Sequence, residues 1–429
     1  MIAGAKISAL APFRLRSFRF QWMADLSTSW AFEMETIMLS WYILVETQSV
    51  LMLTLFASTQ YIGTLLSPVF GVMGHRLGNK QVYCAMRACY TTLATIMMLL
   101  VLTGALTPLY VFIISCLMGL VRPSDLVLRY ALIGETMSAE QLMAAASVSR
   151  TTQDSARVMG SLAGAGIVAT LGMSVAYVAV AFLYATSFLL SLRVATISRV
   201  AGLAHAPADH AASTGQQELP DTSIARDLRD GAVHVWHSPQ LRAAMLLAFT
   251  VNLTAFPLSN GLLPYVAKEI FHTDQAGLGY LAASFAFGAL MGSIFLSRFG
   301  HALPPARMMV VFSAVWYCMV LLFAYMSNLV SGMLTLVLVG CAQSLSMVPM
   351  SAMLLRNAAP RYRGHVMGIR MLMIYGLPIG LMMSGPLISH FGYRLTAIAY
   401  CAVGLLATGW IALHWHTHVW RRNAPANKP

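Results

Sequence analysis

Long apolar runs separated by short polar seams organise this chain. Twelve mostly apolar windows recur, near 21–45, 50–73, 82–104, 108–128, 142–170, 173–193, 243–266, 276–297, 308–327, 329–353, 365–388 and 393–413. Each approaches the roughly 20 residues a helix needs to cross the hydrocarbon core of a bilayer. In lipid every backbone N–H and C=O must be satisfied within the segment, so the windows predict helices, numbered here as spans 1–12. The alternating ten-residue pattern of a membrane β-barrel is missing from the sequence. Short breaks, such as 103–108 and Ser327–Asn328, predict tight hairpins between antiparallel helices.

Composition excludes the soluble alternatives. Of 429 residues, 58% are hydrophobic and 10% charged, against roughly 25% charged in soluble domains. The 27 basic and 15 acidic residues cannot coat a water-facing surface, which rules out a cytosolic enzyme, a secreted disulfide scaffold and a disordered regulator. Charge placement supplies orientation. With both termini cytoplasmic, the inner segments hold Lys6, Arg14, Arg16, Arg19, Arg76, Lys80, Arg199, Arg226, Arg229, Arg298, Arg307, Arg356, Arg361, Arg363, Arg421, Arg422 and Lys428. The outer loops hold Lys268 and Arg394. That bias is the positive-inside pattern. It also accounts for the net charge of +12, and its spread over many short loops argues against nucleic acid as a partner. No cleavable signal peptide is expected, because no small-residue cleavage site follows the first apolar window. Six cysteines lie inside the windows without metal-ligand spacing and read as small apolar packers. No metal and no cofactor is expected.

A polar stretch at 195–240 divides six spans from six. It predicts a first bundle at 1–194, a cytoplasmic linker at 195–240 ending in a short amphipathic helix near 224–236, and a second bundle with a basic tail at 241–429. Small residues repeat four apart on the middle helix of each three-helix unit: Gly63, Ser67 and Gly71; Gly160 and Gly164; Gly288 and Gly292; Gly376, Gly380 and Ser384. Such grooves let helices approach closely. The expectation is that Gly160, Gly164, Gly288, Gly292, Gly376 and Gly380 pack helices between the two bundles.

Several motifs resemble the major facilitator superfamily over nearly the whole chain, and within it the drug–proton antiporter branch that includes enterobactin and macrolide exporters. Leu15-Arg16-Ser17-Phe18-Arg19-Phe20-Gln21-Trp22 is similar to that branch's entry to the first helix. Gly71-Val72-Met73-Gly74-His75-Arg76-Leu77-Gly78-Asn79-Lys80 resembles the loop motif after the second, so Gly71, His75, Arg76, Gly78 and Lys80 are its gating candidates. Arg363-Gly364-His365-Val366-Met367-Gly368 is similar to the start of helix eleven, and Gly160-Ser161-Leu162-Ala163-Gly164 sits where the antiporter motif of helix five falls. His75 replaces an acidic residue of the family pattern, and Ser161 a proline. The resemblance implies an all-α fold of twelve transmembrane helices in two pseudo-symmetric six-helix bundles. It also implies a monomeric, non-enzymatic secondary transporter of a bacterial inner membrane, coupling protons to efflux of a small amphipathic molecule, drug-like or a siderophore.

Ionisable groups in membrane helices cost roughly 2.5–3.5 kcal/mol each on insertion scales and mark pathways or proton relays. Span 1 carries Asp25, Glu33 and Glu35; span 3 Arg87; span 4 Arg122, Asp125 and Arg129; span 5 Arg150, Asp154 and Arg157; span 11 Arg370. Asp25, Ser29, Glu33, Thr36 and Ser40 form one helical stripe, and Glu33 falls near mid-membrane. Glu33 is therefore the first candidate for the proton-carrying acid. Glu35, about 200° round the helix, is the second, with Asp154 and Asp125 behind it. Arg122 with Asp125 (i, i+3) and Arg150, Asp154 and Arg157 (i, i+4, i+7) predict one network between spans 4 and 5. It reads either as a structural ion-pair latch or as a site where Arg122 or Arg157 takes an anionic substrate group and Asp154 relays protons. The second half is an apolar wall with Asn252, Asn260 and Gln343 as isolated polar points, of which Asn252 and Gln343 are the cavity candidates. The many methionines, 29 in all, read as filler or as an adaptable ligand wall. His414, His416 and His418 read as an interfacial run. No phosphate-binding G-x-x-x-x-G-K-[ST] loop is present, so ATP-driven pumping by this chain is unsupported. An importer on the same fold and a non-transporting receptor or scaffold are the rival readings; a channel lacks its charged rings or filter.

Overall fold

The computed structural model describes residues 11–66, 73, 77–137, 139–194, 233, 235–299, 304–357 and 363–416. Among them every regular element is helical. The chain forms twelve transmembrane helices in two pseudo-symmetric six-helix bundles, the major facilitator fold. The first bundle holds α1 (Arg16–Thr47), α2 (Val50–Thr59, continued by a 3₁₀ turn Ile62–Leu66), α3 (Asn79–Leu102) and α4 (Pro108–Thr136). The unbroken stretch Ala139–Leu192 supplies α5 (139–171) and α6 (173–192). The second bundle holds α7 (Pro239–Ile270), α8 (Gln275–Phe299), α9 (Pro305–Ala324) and α10 (Leu329–Asn357). Helix α11 runs from Arg363 through a 3₁₀ turn at Met373–Tyr375 to 391, and α12 covers 393–414.

Eight stretches of described helix are long and apolar enough to span a membrane. Two of these, Val148–Leu192 and Ile369–His414, are helical hairpins. Gly172 (φ +84°) and Gly392 (φ +79°) turn the chain at matching places in the two bundles, a backbone conformation that residues with a Cβ disfavour. The charges of α1 and the shortness of described α2 keep those two outside the eight. Local signals set several boundaries. Thr107 caps α4 by accepting from the Tyr110 N–H (3.5 Å), with Pro108 at its first position. Asp274 caps α8 by accepting from the Gly277 N–H (3.0 Å). Helix α7 widens into two π-turns, Pro257–Gly261 and Val266–Ile270. There the N–H of Leu262 reaches the Pro257 carbonyl and that of Phe271 the Val266 carbonyl, each at 2.9 Å. Such turns cluster at functional sites.

The glycine seams lie elsewhere than the repeat predicted. A Cβ added at Gly160 would meet Glu33 and Trp30, and one at Gly164 would meet Met34, so both glycines seat α5 on α1. Gly288 lies against Val337, and Gly292 against Cys341 and Ser344, seating α8 on α10. Gly376 meets Phe249 and Asn252, and Gly380 meets Leu253 and Pro257, seating α11 on α7. Gly63 completes the set by resting on the Gly119 and Leu120 carbonyls of α4. All six glycines assigned to packing between bundles therefore pack within their own bundle. The pattern obeys the repeat at a finer level. In each bundle, the middle helix of one three-helix unit presses its glycines onto the first helix of the other unit. Spacing shows that a helix has a groove; it does not show which neighbour fills it. Between bundles, close approach falls to Gly385 of α11 against Leu51 and Thr54 of α2, and to Gly279 of α8 against Ser161 and Ala165 of α5.

The two interiors differ. In the second bundle Trp316 is wholly buried and meets Phe256 edge-on at 4.9 Å. Tyr317 fills the space left by Gly404 and shares a 2.7 Å hydrogen bond with Thr254. The first bundle buries charge instead.

Candidate substrate and proton site

The first bundle gathers its ionisable side chains into three separate groups. The most buried joins α1, α3 and α4. Arg87 Nη2 lies 2.7 Å from Asp25 Oδ1 and 2.8 Å from Asp125 Oδ1. Arg129 Nη2 lies 2.8 Å from Asp125 Oδ2, and its Nε lies 3.4 Å from Asp25 Oδ2. Tyr83 donates to Asp25 at 2.6 Å and carries the Arg87 guanidinium over its ring. Two carboxylates against two guanidiniums leave no net charge, which is how ions survive in a low-dielectric interior. Of these four, sequence reasoning ranked only Asp125 as a site residue. The signal for the others was the match of two acids to two arginines at one end of spans 1, 3 and 4.

The second group is built round Glu35. Its carboxylate is buried and accepts from Tyr177 at Oε1 and from Tyr184 at Oε2, both at 3.0 Å and both from α6. Beside it lies a cavity of about 390 Å³ lined by Phe32, Leu39, Phe56, Tyr90, Met118 and Arg122, among others. Arg122 donates to Gln60 at 2.9 Å and stacks on the Phe32 ring, with Cζ 3.3 Å from its centroid. Tyr90 packs beside Tyr184 at 5.7 Å, and its buried hydroxyl has no hydrogen-bond partner among the described residues. Thr36, Phe56 and Gln60 are shared with a second cavity of about 550 Å³, which reaches Asn260, Gly261 and Pro264 of α7 and Leu377 and Leu381 of α11. The second cavity therefore lies between the bundles, beside the first π-turn of α7. An apolar chamber with few convergent polar groups is the usual form of a small-molecule site.

The third group lies along α5 and is partly exposed. Glu33 turns toward α5, where its Oε1 is 3.6 Å from Arg157 Nε, and the Arg157 side chain is 42% exposed. Asp154 pairs with Arg150 at 3.2 Å, as the i, i+4 spacing predicts. The single network expected between spans 4 and 5 does not form. Asp125 is held by Arg87 and Arg129, Arg122 turns to Gln60 and Phe32, and Arg157 goes to Glu33. Residues close in sequence on adjacent helices face different neighbours, because α1, α2 and α3 also offer them partners.

Other candidates are corrected by their surroundings. Asn252 donates to the Ala248 carbonyl of its own helix at 2.7 Å and sits in the α7–α11 seam against Gly376, away from both cavities. Gln343 is half-buried on α10 and lines neither cavity. Of the loop motif, Gly71, His75 and Arg76 lie outside the described residues. Gly78 takes φ +94° immediately before α3, and Lys80 occupies the first turn of that helix. Sequence reasoning missed Tyr83, Tyr90, Tyr177, Tyr184, Gln60 and Phe32; tyrosine in an apolar window carries no signal of which acid it meets.

Residues 7–428 match the family described as transmembrane secretion effector. The chain belongs to that family. It is a transmembrane transporter of the major facilitator type, and solved structures share its architecture. A bacterial homologue of the human lysosomal transporter Spinster, inward-facing and unoccupied, superimposes with a TM-score of 0.72 at 13% identity, over 96% of this chain and 99% of that one. A nucleoside transporter does so at 0.64 and 14%, over 95% and 100%. A D-xylose–proton symporter does so at 0.67 and 11%, over 92% and 96%. At these identities the likeness concerns fold alone. No curated protein matches the chain.

Proposed function

We propose that this transporter couples protons to the efflux of a small amphipathic molecule, drug-like or a siderophore, with Glu35 as the proton-carrying acid. The observation that carries this reading is a buried carboxylate in the wall of an apolar, aromatic-lined chamber that opens toward the space between the bundles. Ionised, Glu35 attracts a cationic or hydrogen-bonding face of a substrate; protonated, it releases that face. Proton and substrate then compete for one site, which is the requirement of antiport. Glu33, Asp154 and Asp125 already have arginine partners within 4 Å, which favours holding helices over carrying protons. The reading includes a bacterial inner membrane, both chain ends cytoplasmic, a monomer, and bundles at 1–194 and 241–429 joined through 195–240. The drug–proton antiporter branch is supported by the motif resemblance in the opening and helix-eleven segments.

The test is movement of fluorescent amphipathic dyes, supplied outside inside-out vesicles, under an imposed pH gradient. Efflux corresponds to dye uptake into these vesicles, driven by an acidic interior and lost in Glu35→Gln. Movement only in the opposite sense would favour the importer. Absence of protein-dependent movement for any dye would favour the receptor or scaffold.

A further inference from the structure

One end of the second bundle gathers tryptophan, histidine and arginine side chains where α7 begins and α12 ends. Arg242, in the first turn of α7, has Cζ 5.7 Å from the Trp236 ring centroid and 5.8 Å from that of Trp415. Trp415 is buried and Trp236 is 69% exposed. Beside them Trp410, also exposed, stacks on His414 with centroids 5.2 Å apart, and His414 meets Trp415 edge-on at 4.6 Å. The Arg242 guanidinium is thus oriented by two indoles. Among the described residues no carboxylate pairs with it, and its buried Nε has no acceptor. A buried charged donor without an acceptor is costly.

The rest of the bundle supplies no carboxylate at this end, and Asp227 and Asp230 of the preceding linker lie outside the described residues. The sequence contains no Asp or Glu after Asp274. Glu269 and Asp274 lie at the opposite end of α7, roughly 40 Å away at about 1.5 Å per residue. Antiparallel packing brings Arg298, at the end of α8, and Arg307, at the start of α9, to the same end as Arg242.

We propose that this cluster is a binding site for the headgroup of an anionic phospholipid of the surrounding bilayer. Guanidinium matches phosphate oxygens in a planar, paired geometry. Exposed indoles such as Trp236 and Trp410 favour the headgroup level of a membrane, so the arginine is held at the depth where phosphates lie. A zwitterionic lipid brings its own cation into a region already rich in arginine. Phosphatidylglycerol brings none, and the site favours it.

The full chain is reconstituted in phosphatidylcholine vesicles with and without phosphatidylglycerol, and tryptophan fluorescence is quenched by brominated forms of each lipid. Brominated phosphatidylglycerol is expected to quench severalfold more effectively than brominated phosphatidylcholine. Arg242→Gln is expected to bring the two to parity. Equal quenching in the unmodified chain, or a phosphatidylglycerol preference that survives Arg242→Gln, overturns the proposal. Should that variant fail to fold, Arg242→Lys keeps the charge but loses the flat paired donors. A reduced preference in it supports the site, and an undiminished one overturns it. Because the readout is contact with lipid, it stands apart from any measurement of transport.

Discussion

Glu35 and Tyr184 are joined by a 3.0 Å hydrogen bond that spans the first bundle from α1 to α6. Tyr177, on the same face of α6 about two turns earlier, meets the other carboxylate oxygen. Hydrogen bonds to a charged group are worth about 1.5–3 kcal/mol each, and here they replace the water that burial removed. Tyr184→Phe and Tyr177→Phe should therefore each lower thermal stability by an amount in that range. The double variant should lose less than the sum, because a carboxylate stripped of both partners takes up a proton or solvent instead. Thermal unfolding in detergent reads this directly. Wild-type stability in both single variants would mean that the tyrosines do not hold the acid.

The neutral quartet of Asp25, Arg87, Asp125 and Arg129 makes a different demand. Removing one member strands a charge in the interior, a loss of about 3–5 kcal/mol. Arg87→Leu should thus fold poorly or not at all. Asp25→Asn combined with Arg87→Gln removes one charge of each sign and should recover much of the loss. Yield of monodisperse protein and its unfolding temperature compare the two. If the double variant is no better than the single, the charges are not balanced as a set.

The glycine seams separate stability from motion. Gly380 lies on the backbone of Leu253 within one bundle, and Gly385 lies on Leu51 and Thr54 of the other bundle. Gly380→Ala should lower the unfolding temperature, since the backbone it would strike cannot rotate aside. Gly385→Ala presses on a contact that alternating access must break and remake. It should reduce flux with a smaller effect on stability. A reversed ranking would return the seams to the roles that the spacing alone suggested.

Much of the architecture was legible because lipid leaves few options. Each of the twelve windows reappears as helix within its described residues, and the hairpins of α5–α6 and α11–α12 turn at single glycines between windows read as separate. The charges were legible as types and depths but not as pairs. Asp125 with Arg122 was the plausible i, i+3 couple, yet Arg87 from α3 takes that carboxylate. Glu33 outranked Glu35 on stripe and depth, yet α5 offers Glu33 an arginine and α6 offers Glu35 two tyrosines. Helical periodicity fixes the direction of a side chain relative to its own axis. Which neighbour waits there depends on the rotation of that helix in the bundle, and no local pattern encodes it.

At the end of the molecule where α1 passes into α2, Lys268 of the second bundle donates to the Gln48 side chain of the first at 2.7 Å. Lys268 also lies 3.4 Å from Glu269, so its charge is balanced within α7 and its bond to Gln48 is a contact between bundles. Gln48 takes φ +50° where α1 turns into α2, and its side-chain amide also donates to the Val45 carbonyl of α1 at 2.6 Å, which leaves its oxygen to Lys268. Alternating access requires the bundles to part at this end in one half of the cycle, which breaks this contact. A thiol pair at Gln48→Cys and Lys268→Cys, bridged by a bifunctional reagent, should therefore stop turnover while leaving stability unchanged. Either single cysteine treated in the same way should transport normally, and a cleavable bridge should restore flux on reduction. Undiminished turnover in the bridged protein would show that the bundles do not separate at this end during transport, and the rocking assignment would have to move to another pair of helices.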